Sequence, residues 1–106
     1  MSTKRYCIIV QSKEAPVIEF DHDGDTIYVH FQKNTKVEKS LERDYNDVLL
    51  NVDLDGQSEV VSVELISWER RLIEATASFM IETVPSQGKG AYSFKIWWNA
   101  TEVVES

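Results

Sequence analysis

The feature that most constrains the fold of this chain is an alternation of apolar and polar residues with a period of two. A half-buried strand shows this alternation, whereas a helix repeats its apolar positions every three or four residues. Asp55-Gly56 stands between two such segments and is typical of a hairpin turn. Apolar residues occupy every second position on either side of it: Val48, Leu50, Val52 and Leu54, then Val61, Val63 and Leu65.

Further extended segments flank this hairpin. Residues 17–20, 26–32 and 91–98 are predicted strands, and residues 6–10 are a strand or an ordered arm. The charged segment 37–43 suits an edge strand, because charges discourage pairing with other chains. Residues 76–84 allow a helix through Ile81, but their Thr, Phe, Ile and Val residues favour a strand that pairs with 91–98.

The stretch after the second hairpin strand has a different composition. Ser67 is a residue type that caps helices, and residues 68–75 are rich in helix formers. We therefore predict an α+β fold, mainly an antiparallel β-meander sheet of five to seven strands with one short helix after the fifth strand. The length of 106 residues predicts a single domain over 1–106. Residues 101–106 form an acidic tail that we expect to fray.

The charge balance limits which partners the chain can bind. Lys and Arg number 11 and Asp and Glu number 18, so the net charge is −7. Proteins that hold phosphate backbones need a basic surface, and we therefore expect no nucleic-acid binding. An acidic surface instead attracts basic proteins. Cys7 is the only cysteine, and a lone thiol suits the cytoplasm. No apolar run approaches the roughly 20 residues of a membrane span, so we expect no membrane contact.

A longer pattern extends over residues 17–66. It contains an aromatic residue before two aspartates, Asp21 and Asp25, then a strand with Tyr28, then an Asp-rich hairpin whose return strand carries Glu64. This pattern resembles a small bacterial family, the domain of unknown function 2283, although Ser62 stands where that family has glycine. The resemblance implies a small antiparallel sheet and no established activity. Similar proteins are sometimes encoded beside a second small protein, in pairs that look like toxin and antitoxin.

The acidic turns lack the spacing of a calcium loop, which needs glycine at its sixth position and glutamate at its twelfth. Counting from Asp21, these positions are Thr26 and Gln32. Counting from Asp53, Glu64 fits the twelfth position but the sixth is not glycine. Asp side chains also stabilise turns by bonding to nearby backbone. We therefore predict hairpin turns, with no metal and no cofactor.

No catalytic set is recognisable in the sequence. His22 falls in a turn and His30 on the polar face of a strand. Glu64 is expected on the polar face of its strand, with Lys39 or Arg43 as an ordinary cross-strand partner. Because a nucleophile, a base and an orienting group do not come together, we predict that the chain is not an enzyme. A small hydrolase or metal-dependent enzyme is the alternative from a different functional class.

Trp97 is the strongest candidate for an interaction with another protein. On a strand, Trp97 and Trp98 point to opposite faces, and Trp98 is expected in the core. Trp97 is either covered by Trp68 and the predicted helix, or it anchors a contact with a partner. The candidate interaction residues are Trp97, Lys95 and Trp68. We predict a protein-interaction module or homodimer; the alternatives are an antitoxin-like subunit that neutralises a small basic protein, and a DNA mimic.

Overall fold

The structure, a computed structural model, describes residues 3–68, 72–73, 78–84 and 92–101. Eight strands occur in these residues: β1 Thr3–Ser12, β2 Val17–Asp21, β3 Thr26–His30, β4 Lys39–Asp44, β5 Val48–Leu54, β6 Val60–Ser67, β7 Phe79–Val84 and β8 Tyr92–Thr101. The same residues contain no helix. The described chain is all-β, and the predicted α+β class is wrong. Within the described ranges, then, no helix could cross a membrane.

The strands form two antiparallel sheets rather than the predicted single meander. One sheet has the order β1-β8-β7 and the other has the order β2-β3-β6-β5-β4. Strand β6 pairs with β3 as well as β5, which gives β3 to β6 the order of a Greek key. The predicted meander would leave its apolar face open to water. Division into two layers covers that face, which is the general reason that sheets pack in pairs.

The core lies between the two sheets. Aromatic contacts join the layers, with ring centroids 5.8 Å apart for Phe31 and Phe94 and 5.3 Å apart for Tyr45 and Trp98. Full burial of a large apolar side chain contributes about 1.5–3 kcal/mol, so this layer is the main source of stability. The largest side chains in it are at most 1% exposed and come from both sheets: Ile27, Val29, Val48, Val63, Leu65, Ile96 and Trp98.

Ser67 does not begin a helix, contrary to the sequence prediction. It is the last residue of β6, opposite Val48, and its N–H donates to the carbonyl oxygen of Asp25 at 3.0 Å. The N–H of Trp68 donates to the carbonyl oxygen of Asp47 at 3.0 Å. Pairing with β5 therefore continues through the residue that was expected to cap the helix. Residues 69–71 and 74–75 of the predicted helix lie outside the described residues, as do 76–77 of the predicted strand and 102–106 of the predicted tail.

Several predicted strands are confirmed. Residues 79–84 form β7, which pairs with β8 from Phe79 opposite Trp98 to Val84 opposite Ser93. Strand β4 lies at the edge of its sheet, as its charges suggested. Strand β1 is an ordered edge strand that pairs with β8 over its whole length, so the alternative of a separate arm does not apply.

Candidate functional site

The outward side of the three-stranded sheet carries a group of apolar side chains among polar ones. We define the apolar face by five residues of β1, β7 and β8: Cys7, Ile9, Met80, Val84 and Trp97. Cys7, Trp97 and Met80 lie side by side across the three strands. Ile9 is 61% exposed and Met80 is 43% exposed. Exposed apolar side chains that cluster in this way are a common mark of a contact site.

Two neighbours on the same face hold Trp97. Its Nε1–H donates to the carboxylate oxygen Oε1 of Glu82 at 3.1 Å. The Nζ of Lys95 lies 5.1 Å from the centroid of the indole, a distance at which a cation is attracted to the ring. Two of the three candidate interaction residues from the sequence, Trp97 and Lys95, therefore lie side by side on this face. Trp68 is 59% exposed and follows β6 of the other sheet, so it does not belong to the apolar face.

The apolar face is close to electrically neutral. Lys95 and Glu82 face each other in register on β8 and β7, and Arg5 lies further along β1 on the same side. The guanidinium Nε of Arg5 is 3.5 Å from Oδ1 of Asn99. Another molecule can therefore approach this side of the protein without meeting a strong field.

The outward side of the five-stranded sheet is very different. Alternation along the strands places Glu64 in a row that runs from Glu19 through Tyr28 and then, beyond Glu64, through Asn51 to Glu42. No Lys or Arg belongs to the outward side of β2 to β6 in the described strands. We define the acidic face by the carboxylates on this side: Glu19, Asp21, Glu42, Asp44, Asp53 and Glu64.

Glu64 lies near the centre of the acidic face. Burial raises the pKa of Glu64, the nearby carboxylate of Asp53 raises it further, and a hydrogen bond from Asn51 lowers it. The predicted pairing of Glu64 with Lys39 or Arg43 is wrong. Those cations point to the other side of β4, opposite Leu54 and Leu50, because they are an odd number of residues away from Glu42, which shares the row of Glu64.

Hydrogen bonds order the middle of the acidic face. Asp53 accepts the Ser40 hydroxyl at 2.6 Å, the Ser62 hydroxyl at 2.9 Å and the Asn51 amide at 3.3 Å. These bonds join β4, β5 and β6 side by side. The predicted polar position of His30 is confirmed: its Nε2 lies 3.5 Å from the Glu19 carboxylate, and its side chain is 37% exposed. The arrangement is a hydrogen-bonded anionic surface, suited to binding cationic groups.

Two buried aspartates were missed by the sequence analysis. The carboxylate of Asp25 accepts the N–H groups of Leu72 and Ile73, and that of Asp47 accepts the N–H of Thr101. Both residues are at most 6% exposed. The sequence did contain a signal for the burial of Asp25. Asp25 lies two residues before Ile27, so the alternation places both side chains on the core side of the strand. By contrast, Asp21 accepts the N–H groups of residues 23 and 24, so hairpin chemistry is confirmed there.

A cavity of about 360 Å³ lies away from both faces. Residues 11–14 form one wall, residues 31–33 with Thr35 form another, and Glu59 and Val60 complete it. The amide of Gln32 is already engaged, because it donates to Asp55 at 3.2 Å and to the carbonyl of Val60 at 3.1 Å. Within the described ranges, no group of three or more His, Cys, Asp or Glu side chains is placed to hold a metal ion.

Comparison of the chain with protein-family models, with curated proteins and with solved structures finds no match. The resemblance to the domain of unknown function 2283 therefore stays a prediction from the sequence pattern. Function has to be argued from the two sheet surfaces and the edges of the sheets.

Proposed function

We propose that this protein is a non-enzymatic protein-interaction module that forms a homodimer through the apolar face. The observation that carries the proposal is the row of Cys7, Trp97 and Met80 beside Ile9, whose side chain is 61% exposed. Aromatic residues and methionine are enriched where proteins meet. The indole of Trp97 is already oriented by Glu82 and Lys95. Binding of a partner therefore costs little side-chain conformational entropy at Trp97.

The charge distribution favours a second copy as the partner on this face. The chain carries a net charge of −7, and two acidic faces would repel each other. The apolar face is the near-neutral side, so self-association there keeps the acidic faces of the two copies on the outside. This face also carries one cation and one anion in register, Lys95 and Glu82, which suits a self-complementary contact between two copies.

The mass in solution tests the proposal. We expect the wild type to sediment at twice the chain mass of 12.2 kDa and Trp97→Ala to sediment as the monomer. Ile9→Glu is a second variant at an exposed position, where a charge opposes docking without entering the core. Trp68→Ala is the matched control, because it removes another exposed indole from a different surface. A wild type that is monomeric at high concentration, or a dimer that survives both changes, would refute the proposal.

Labelling of Cys7 gives an independent measurement. Its thiol is free and exposed on the apolar face, so a dimer should slow its reaction with a thiol reagent, and Ile9→Glu should restore the rate. We also place the protein in the cytoplasm, since an exposed lone thiol suits a reducing compartment.

The acidic face supports a second candidate, an antitoxin-like subunit that neutralises a small basic protein. Its specific support is that six carboxylates lie on one side of the sheet and that the pKa of Glu64 is raised. A docked cation would lower that pKa, because it stabilises the ionised carboxylate. A lysine-rich peptide of about ten residues is a direct probe, with salt dependence as a readout. The charge removal Glu42→Gln/Asp53→Asn/Glu64→Gln should weaken its binding more than Glu14→Gln/Asp23→Asn/Glu38→Gln, which has the same net charge. Equal losses would refute a specific acidic site.

A further inference from the structure

Among the described strands, β1 forms an edge of its sheet to which one more strand can be added. Strand β1 pairs with β8 from Thr3 opposite Thr101 to Ser12 opposite Tyr92, and no described strand pairs with its other side. On such an edge every second residue directs its N–H and C=O away from the neighbouring strand, which is β8 here. These groups are a template for an added strand.

Strand β1 lacks the protection that edge strands usually carry. Its segment from Tyr6 to Val10 contains no charge and no proline. Strand β4, one of the two edges of the other sheet, is exposed throughout and carries charges at Lys39, Glu42 and Arg43. Since charged edges resist pairing and uncharged ones invite it, the segment from Tyr6 to Val10 is more open to addition than β4.

The five-stranded sheet extends beyond β1 and supplies a floor for the added strand. The ring of Tyr6 on β1 lies 4.5 Å from the ring of Tyr45, which directly follows β4, and the guanidinium of Arg43 lies 5.2 Å from that ring. Leu41 points to the core side of β4 but stays 47% exposed, because β1 does not reach over it. Its partner in register, Val52, is only partly buried.

We define the β4 shelf as Lys39, Leu41 and Arg43, the three side chains of β4 that point to the core side. All three are exposed. A strand added to β1 would lie about 4.8 Å from it and about 10 Å above the shelf, the usual spacings of paired strands and packed sheets. Its inward side chains would therefore meet an apolar residue flanked by two cations.

We propose that the β1 edge and the β4 shelf bind an extended segment of a partner protein in which an apolar residue is flanked, two positions away on each side, by acidic residues. Lys39 and Arg43 are four residues apart, roughly 13 Å along a strand, which matches carboxylates at positions i and i+4 of the added segment. Main-chain hydrogen bonds to β1 supply affinity, and the shelf selects the sequence.

A second copy of β1 does not fit the same place. Lys4 lies on the core side of β1, with its Nζ 5.5 Å from the centroid of the Tyr6 ring, so pairing of two β1 strands would bring a further cation toward a cationic shelf. The charge complementarity therefore favours an acidic partner segment over self-pairing. This site is separate from the apolar face, so the monomeric variant Ile9→Glu should keep it.

A nine-residue capped peptide tests the proposal, with Glu at positions 3 and 7, Val at position 5 and Thr elsewhere. The matched peptide has Lys in place of both Glu residues. We expect the Glu peptide to bind at least about fivefold more tightly, the ratio expected from one or two exposed ion pairs. We also expect it to slow hydrogen exchange of β1 amides on the open side.

Charge reversal of the shelf provides the decisive comparison. Lys39→Glu/Arg43→Glu should reverse the preference between the two peptides. Lys33→Glu/Lys36→Glu carries the same net charge but lies outside the shelf, so it should keep the wild-type preference. All four positions are exposed or on the surface loop before β4, and circular dichroism checks that each variant is folded. Equal binding of both peptides, a preference that Lys39→Glu/Arg43→Glu leaves unchanged, or no slowing of β1 exchange would overturn the proposal.

Discussion

Replacement of Asp25 tests whether one buried carboxylate holds the chain between β6 and β7. Asp25 is 2% exposed. Its Oδ1 accepts the N–H of Ile73 at 3.1 Å and its Oδ2 accepts the N–H of Leu72 at 3.3 Å. Its backbone φ is 44°, in the left-handed region that favours glycine, asparagine and aspartate. Leu72 is itself part of the core cluster, so loss of these bonds should release a core residue.

The magnitude follows from the two hydrogen bonds and the backbone angle. A hydrogen bond to a charged group contributes about 1.5–3 kcal/mol, and a buried donor left without an acceptor costs about 1–3 kcal/mol. Because both N···O distances are long, we take the lower part of these ranges and expect Asp25→Ala to cost about 3–4 kcal/mol. About 1 kcal/mol of this is left-handed backbone strain in alanine. Asp25→Gly, which lacks that strain, should cost about 2–3 kcal/mol.

Asp25→Asn separates charge from geometry. Asparagine tolerates the backbone angle and keeps one acceptor oxygen, but it offers an amide group to the second N–H, so we expect a cost of about 1–3 kcal/mol. Urea unfolding followed by circular dichroism measures all three variants, and hydrogen exchange should accelerate at the amides of Leu72 and Ile73. Asp23→Ala, in the same turn but exposed, is the control and should stay within about 0.5 kcal/mol of the wild type. Costs below that value for both Asp25→Asn and Asp25→Ala would refute the structural role of the carboxylate.

Three further predictions concern stability. Glu64→Gln should raise the free energy of unfolding by about 0.5 kcal/mol at neutral pH, since it removes repulsion from Asp53. The pKa of Glu64 is raised in the fold, so its protonated form stabilises the protein below the unfolded pKa, and that contribution is lost as pH rises through the folded pKa. The advantage of the variant in urea titrations should therefore vanish in acid, and a constant advantage would contradict this. Ser58→Gly should add about 0.5–1 kcal/mol by thermal unfolding, because Ser58 has a φ of 62°; a loss of stability would contradict the strain argument. Ile96→Ala should cost about 3–4 kcal/mol in urea, whereas Ile9→Ala, on the other side of the same sheet, should cost less than about 1 kcal/mol; equal costs would contradict the two-sided sheet.

The strands of this protein could be predicted from the sequence because each strand has a recognisable pattern within its own few residues. Val48 to Leu54 alternates strictly, and Asp55 and Gly56 mark the turn that follows. The position of Glu64 on a polar face was also predictable from alternation alone. Its partner was not, since the cations Lys39 and Arg43 belong to the opposite side of β4 once the register with β5 is known.

The conformation of Ser67, the predicted helix cap, is set by residues far away in the sequence. Ser67 has the properties of a helix cap, but its N–H is bound by the carbonyl oxygen of Asp25, a residue 42 positions earlier (67 − 25). That contact and the pairing with Val48 extend β6 through Ser67.

The candidate surfaces, too, could be predicted from the sequence only in part. Alternation placed Trp97 and Lys95 on one side of a strand, but their neighbours Cys7 and Met80 come from β1 and β7, at distant positions in the chain. Leu41 stays exposed because the five-stranded sheet extends beyond the edge of the three-stranded sheet. That difference in strand number is not visible in the sequence of β4.

By itself, the sequence determined which segments are extended, where most turns fall and which side of each strand is apolar. Those properties depend on steric preferences and hydropathy within a few residues. Only the tertiary structure decided that the strands divide into two sheets, that β1 pairs with β8 and β3 with β6, and that six carboxylates share one face. Strand pairing over long separations is decided by the burial of both apolar faces at once, and that free energy belongs to the whole chain rather than to any segment.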